Sequence, residues 1–195
     1  MTTIALKEWA VAIKALRDGR QTLLVRKGGI SEESRHFRIQ SEMFALFPTY
    51  EHQAPELLQA PYQEDLAQVL ASRADPTRAT LDTWAVLTDQ FEVTEPWQVE
   101  AVSEHYCWSL RYAEERLRWK PRHPLLVLAV RAYRLATPLD IELRPEHGGC
   151  KSWLTLEESA STANMTAVLS DHEYASRVAA VRAALEQRGP VAARA

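Results

Sequence analysis

Tyr50, Glu51 and His52 follow Pro48 in the stretch FALFPTYEHQ, and all three side chains can bind or move protons. On extended backbone Glu51 points away from Tyr50 and His52, so one shared site requires a turn after Pro48. With that turn, Glu51 serving as general base or metal ligand and His52 as acid–base group would suit phosphoryl hydrolysis, provided cations hold the phosphate. The competing reading pairs Glu51 with an arginine and uses His52 to close a loop.

Cations are available. Arg26 and Lys27 end the run LLVRK. Arg116 flanks the apolar stripe of a helix, with Tyr112 and His105 near it, where a side chain packs and still reaches a cleft. In RWKPRHP, Lys120, Arg122 and His123 surround Trp119 and Pro121, a mix that suits a phosphate with a base or sugar beside it. The same cations also suit a solvated helix exit, at the negative end of the helix dipole. Arg131 and Arg134 lie on opposite faces of an apolar strand and require either acids such as Asp89, Glu51 or Glu142, or an anionic ligand. Lys151 and Trp153 share one face of a short strand, Lys for a phosphate and Trp for a ring, or else Trp153 is core with Lys151 snorkelling past it. Cys150 reads as a small buried side chain, since nothing beside it activates a thiolate.

Several chemistries lack their residues. The sequence has no P-loop, no G-x-G-x-x-G, no G-x-S-x-G and no H-E-x-x-H, and it names no cofactor. In PLDIELR, Asp140 and Glu142 precede Arg144 with strand alternation, not with the spacing of a restriction-type nuclease. Cys107 and Cys150 are far apart and have no zinc-binding companions, so a reduced cytoplasm is the expected setting. A formal charge of −3 and a pI near 6.1 argue against a general polyanion binder, though not against a local basic patch. No run is apolar for long enough to span a membrane, and no signal-peptide pattern opens the chain.

The elements that must position these residues follow from periodicity. A chain of 195 residues, 46% hydrophobic, makes one globular domain, with residues 190–195 as a frayed tail. Residues 6–27 read as a β-hairpin turning at Asp18-Gly19, although Leu6, Trp9, Ile13 and Leu16 also fit a helical face. HFRIQ and MFALF are expected as short strands, the second ended by Pro48. A helix is expected at about Tyr62–Ser72, entered through Pro61, and a strand at TWAVLTDQFEV. One long helix is expected over about Val99–Trp119, with Val102, Tyr106, Leu110, Ala113 and Leu117 on its apolar face. LLVLAVRAYRL is apolar on both faces and so central, PLDIELR is a half-exposed strand, CKSWLTL is a short one, and a helix covers about Asp171–Gln187. The sum is an α/β or α+β domain with helices packed on a mixed sheet.

Six blocks in order, ALKEWA, LLVRKGG, FALFPTYEHQ, YAEERLRWKPRHPL, VRAYRL and GCKSWLTL, resemble the bacterial family of domain of unknown function 1802 (DUF1802), from about Ala5 to Leu156. The resemblance implies no established activity. Some members are joined to a restriction-endonuclease-like domain, which implies a link to DNA restriction or defence. The order of elements is also similar to that of Nudix hydrolases, but their glycine and Arg-Glu-containing magnesium box is missing: the helix YQEDLAQVLASRA offers only Glu64 and Asp65. That layout implies a nucleotide-shaped cleft without the magnesium chemistry.

Three functions are compatible with these residues. The first is a binding domain for a phosphate-bearing ligand, a nucleotide or nucleic acid, accessory to restriction. The second is a metal-dependent phosphohydrolase or nuclease using Glu51 and His52. The third is a protein-interaction domain anchored by its aromatic and arginine side chains. Convergence of Arg26, Lys27, Glu51, Arg116, Arg131 and Lys151 on one cleft would favour the first two, and their dispersal the third.

Overall fold

The computed structural model describes residues 2–27, 37–119, 121, 123–149 and 151–187. Its strands are β1 (Thr3–Trp9), β2 (Leu23–Arg26), β3 (Met43–Thr49), β4 (Arg78–Val93), β5 (Leu125–Glu142), β6 (Trp153–Leu156) and β7 (Thr166–Ala167). Its helices are α1 (Ala10–Arg17), α2 (Ala60–Ala71), α3 (Pro96–Ala101), α4 (Leu110–Arg118) and α5 (Asp171–Glu186). The strands form one mixed sheet in the order β2-β5-β4-β3-β1-β6, with β7 added to β5. β1 and β3 run parallel, Ala5 opposite Ala45 and Trp9 opposite Thr49, and the other described pairings are antiparallel.

The N-terminal segment is not a hairpin. β1 turns directly into α1, and the Asp18-Gly19 pair ends that helix. Gly19, at φ +70°, donates its N–H to the Leu16 carbonyl at 3.0 Å while Arg20 donates to Ala15 at 2.9 Å. This is a Schellman cap, which needs the same left-handed residue as a two-residue hairpin turn. β2 then pairs with Ala129–Leu126 of β5 instead of with β1.

The long helix expected over Val99–Trp119 is broken. After α3 comes a 3₁₀ turn at Ser103–His105, and Tyr106–Ser109 runs extended against Leu57–Gln59. Gln59 holds the break, its side-chain amide donating to the carbonyls of Ser103, Tyr106 and Trp108 at 2.9, 2.7 and 3.2 Å. Ser109 then caps α4 by accepting from the Tyr112 N–H. Two further differences are smaller. β3 continues through Pro48 to Thr49, which the sheet tolerates because β4 pairs only with Met43–Ala45 and leaves that edge free. Phe37–Ile39 of the expected HFRIQ strand is not a strand, and PLDIELR contributes the end of β5, with no separate strand.

Two cores hold the sheet. The larger packs α1, α4 and α5 on Leu6, Leu24, Phe44, Leu46 and Leu128. The smaller joins Ala5, Ala45, Phe47, Leu154 and Leu156 to Ala79, Leu81 and Ile141, so the far ends of β4 and β5 cover that face. β4 and β5 are long, 16 and 18 residues, with register shifts at Leu81/Thr83 and Leu87/Asp89 that bend them. The bend brings β2 back across the sheet, where the Arg26 guanidinium donates to the Lys7 carbonyl of β1. No helix among the described residues is long and apolar enough to cross a membrane.

Candidate functional site

The carboxyl ends of β1 and β3 meet the carboxyl end of β2, which runs in the opposite direction in the sheet, together with the segment entering β6 and the last turns of α4. They enclose a cleft of about 420 Å³. β1 contributes Lys7, Glu8 and Trp9, β2 Arg26 with Lys27 just beyond it, and the turn after β3 Glu51 and His52. α4 contributes Tyr112 and Arg116, followed by Trp119, and the approach to β6 contributes Lys151. Clefts at the carboxyl ends of strands are the usual ligand sites of α/β sheets, because loops and helix starts converge there without disturbing the core.

Of the six groups expected to converge, Arg26, Lys27, Glu51, Arg116 and Lys151 line this cleft. Arg131 does not. It lies on β5 between the Tyr133 and Tyr174 rings and pairs with Asp171, fastening the start of α5 to the sheet. Arg134 donates to the Arg17 carbonyl at 2.7 Å, and Asp89 is taken by Arg182. Tyr50 also lies outside the cleft, its ring under Arg73 at 4.3 Å. The chain does turn after β3, with His52 at φ +60°; Glu51 and His52 line the cleft, Tyr50 does not, and Tyr50 and Glu51 share a smaller adjoining hollow. Trp153 is core: its indole N–H donates to the Arg38 carbonyl at 2.8 Å and its ring contacts Phe37 and Phe44. Lys120, Arg122 and Cys150 lie outside the described residues.

The cleft's cations divide by what they touch. Lys27, 3% exposed, donates to the carbonyls of Leu117 and His123 at 2.7 and 2.6 Å. Burial, reinforced by the charge of Arg116, lowers its pKa. Lys7 donates to the carbonyls of His147 and Gly149 at 2.8 and 2.9 Å. Arg26 lies 3.4 Å from Glu8 Oε2 and over the Phe37 ring. Arg116 rests on the face of Trp119 at 5.0 Å, and Lys151 is exposed at the rim.

Glu8, Trp9, Lys7 and Trp108 were not legible as site residues. Glu8 is 4% exposed; its Oε1 accepts from the Trp9 N–H at 2.7 Å, while Oε2 accepts no hydrogen bond from the described residues. Desolvation raises its pKa, against the opposing charges of Arg26 and Arg116 and the Trp9 N–H. Trp9, Trp108 and Tyr112 pack together with centroids 5.2–6.5 Å apart, forming an aromatic wall. The available signal was LKEW, which puts two charges at the end of an otherwise apolar strand.

A second cavity, of about 620 Å³, lies between α1, α2 and the far ends of β4 and β5. Several of its charged side chains are engaged locally: Lys14 with Asp18, Arg17 with Asp82, and Asp140 with the Thr80 hydroxyl. Among the described residues, no three His, Cys, Asp or Glu side chains group closely enough to hold a metal ion.

Residues 5–180 match the sequence model of the family described as Domain of unknown function (DUF1802). No curated protein and no solved structure matches the chain.

Proposed function

The chain belongs to the DUF1802 family, and from that premise we propose that it binds a phosphate-bearing ligand, a nucleotide or a nucleic-acid end, in the cleft at the carboxyl ends of β1, β2 and β3. One observation carries the reading: in a chain of net charge −3, five cations and two carboxylates line one aromatic-walled cleft. A positive cleft with low-dielectric walls concentrates anions against the sign of the whole molecule. Lys7, Lys27 and Arg26 are engaged with backbone carbonyls and set the potential, while Arg116 and Lys151 face the opening and reach the phosphate. The aromatic wall offers the flat apolar surface that a base or sugar stacks on.

The test is thermal unfolding against inorganic phosphate, mononucleotides and short DNA and RNA, with and without magnesium. A ligand that binds only the folded chain adds about 2.7 kcal/mol of stability at a hundred times its Kd. The expected result is a phosphate-dependent rise in midpoint that Arg116→Ala and Lys151→Ala reduce and Arg131→Ala leaves in place. No rise across the panel refutes the proposal and favours the protein-interaction reading. The phosphohydrolase reading keeps one support, the presence of Glu51 and His52 in the same cleft. A magnesium-dependent release of phosphate, lost in Glu51→Gln, would establish it in place of simple binding.

A further inference from the structure

The turn after β3 borders three hollows in series. The cleft of about 420 Å³ shares Lys7, Thr49 and Glu51 with a hollow of about 180 Å³, and that hollow shares Pro48, Tyr50 and Arg73 with the cavity of about 620 Å³ between α1 and α2. Their shared walls make one trough along the carboxyl end of β3. The cleft alone is of ligand size, so the trough has room for more than one nucleotide. Charge along that path is not evenly answered. In the largest cavity Asp18 and Asp82 are paired with Lys14 and Arg17, while Asp75 and Asp140 accept from Thr77 and Thr80. Arg116 rests on Trp119, and Arg73 lies over the Tyr50 ring and donates to the Pro76 carbonyl at 2.8 Å. Neither arginine forms an ion pair among the described residues. Glu51 lies between them but is exposed, where salt and water screen it.

Resting on the phosphate-binding reading above, we propose that the ligand is a single strand of nucleic acid, its terminal nucleotide in the cleft beside Arg116 and Lys151 and the next nucleotides laid along the turn after β3 to Arg73 and Tyr50. An arginine spread over an aromatic ring keeps a flat outer face and its N–H groups, so Arg73 meets a base by stacking and a phosphate by charge. Cations and flat surfaces set in turn along an open groove are the pattern of single-strand binding, in which the groove tracks the backbone and the rings take the bases. A peptide fits less well. It would add to the edge of β3 that β4 leaves free, where Pro48 offers no N–H. A duplex fits less well too, because its bases are stacked on one another and cannot lie on the aromatic wall.

The experiment is calorimetric titration of the full chain with 5′-phosphorylated thymidine and uridine strands of one, two, four and eight nucleotides, a duplex of eight base pairs and an aspartate octapeptide. Affinity is expected to rise with length up to roughly four nucleotides, the lower end of single-strand site sizes. The four-nucleotide strand is expected to bind at least about fivefold more tightly than the mononucleotide, the least that one stacked base contributes. Arg73→Gln is expected to bring that strand back toward the mononucleotide's affinity and to flatten the slope of log K against log salt by about 0.7, one phosphate contact on a single strand. The tighter of the two sugar series assigns the strand as DNA or RNA. Wild-type length dependence decides the matter even if the variant fails to fold. Equal affinity at every length, or a duplex or the peptide bound as tightly as the strand, overturns the strand assignment and leaves anion binding in the cleft standing. Binding of none overturns both.

Discussion

Replacing Arg26 by methionine tests whether the cleft floor is ionic. The substitution keeps much of the side chain's apolar length over Phe37 but removes the guanidinium that faces Glu8 and donates to the Lys7 carbonyl. Glu8 is then a buried carboxylate held only by the Trp9 N–H. Breaking a buried pair by removing one partner costs about 3–5 kcal/mol. At about 2–4 °C per kcal/mol for a chain of this size, the midpoint falls by on the order of 10 °C. In a Glu8→Gln background no carboxylate is stranded, and the same change costs about 1 kcal/mol, one hydrogen bond. The pH dependence has a definite sign. Glu8 is raised in the folded state from 4.5, so its contribution is fully present below pH 4.5 and is lost as pH rises through the folded value. Arg26→Met removes an opposing charge and raises that value further, so the variant's deficit shrinks as pH falls toward 4.5. Urea unfolding of the four proteins of the cycle at pH 7.5 and pH 5 measures both effects. An equal cost in the two backgrounds, independent of pH, would refute an ionised Glu8 facing Arg26.

Gly19→Ala is expected to cost about 2 kcal/mol in thermal or urea unfolding, because φ is +70° and an added Cβ would lie 2.9 Å from Leu169 Cδ2. Lys27→Met changes the alkaline limb of the stability curve. Burial, with Arg116, lowers the folded pKa of Lys27 from 10.5, so wild type gains stability relative to the variant as pH rises from that folded value to 10.5. A wild-type-minus-variant difference that stays flat to pH 10.5 would show that Lys27 is not desolvated.

The places where sequence reading succeeded and failed share a physical basis. α2 was legible because its signal is local, Pro61 in the first turn, and the helix expected at Asp171–Gln187 is α5, which the structure caps reciprocally with Ser170 and Glu173. The segment after β1 was not, because Asp-Gly serves a helix cap and a hairpin turn equally well. The deciding fact is the pairing of β2 with β5, more than a hundred residues away. Trp108 was hidden in the same way: Val102, Tyr106 and Leu110 keep helical spacing, while Gln59 binds the intervening carbonyls from outside the segment. Arg26, Lys27, Glu51, Arg116 and Lys151, which line the cleft, are each charged and lie near element ends, where loops converge. Arg131 has the same chemistry but sits within β5, where α5 supplies Asp171.

The cleft's charge and the fold's closure come from the same side chains. Lys7 ties β1 to the loop before β6, Arg26 ties β2 to β1, and Lys27 ties the end of β2 to the end of α4 and the segment before β5. The carbonyls that the two lysines reach, those of Leu117, His123, His147 and Gly149, lie outside the strands. Cations satisfy them, and a charge-assisted donor does so more strongly than a neutral one. The consequence, among the described residues, is an excess of positive charge at the cleft floor: the buried Lys7 and Lys27 and the part-buried Arg26 against the buried carboxylate of Glu8. Desolvated charge of one sign is costly unless it is neutralised. Under the proposed function, an anion bound near Arg116 and Lys151 would supply that neutralisation and offset the desolvation cost of the floor cations. On this argument ligand stabilisation should fall when Lys7 or Lys27 is replaced by methionine, even though neither ammonium is expected to touch the phosphate, since what the anion answers is the potential of the whole floor.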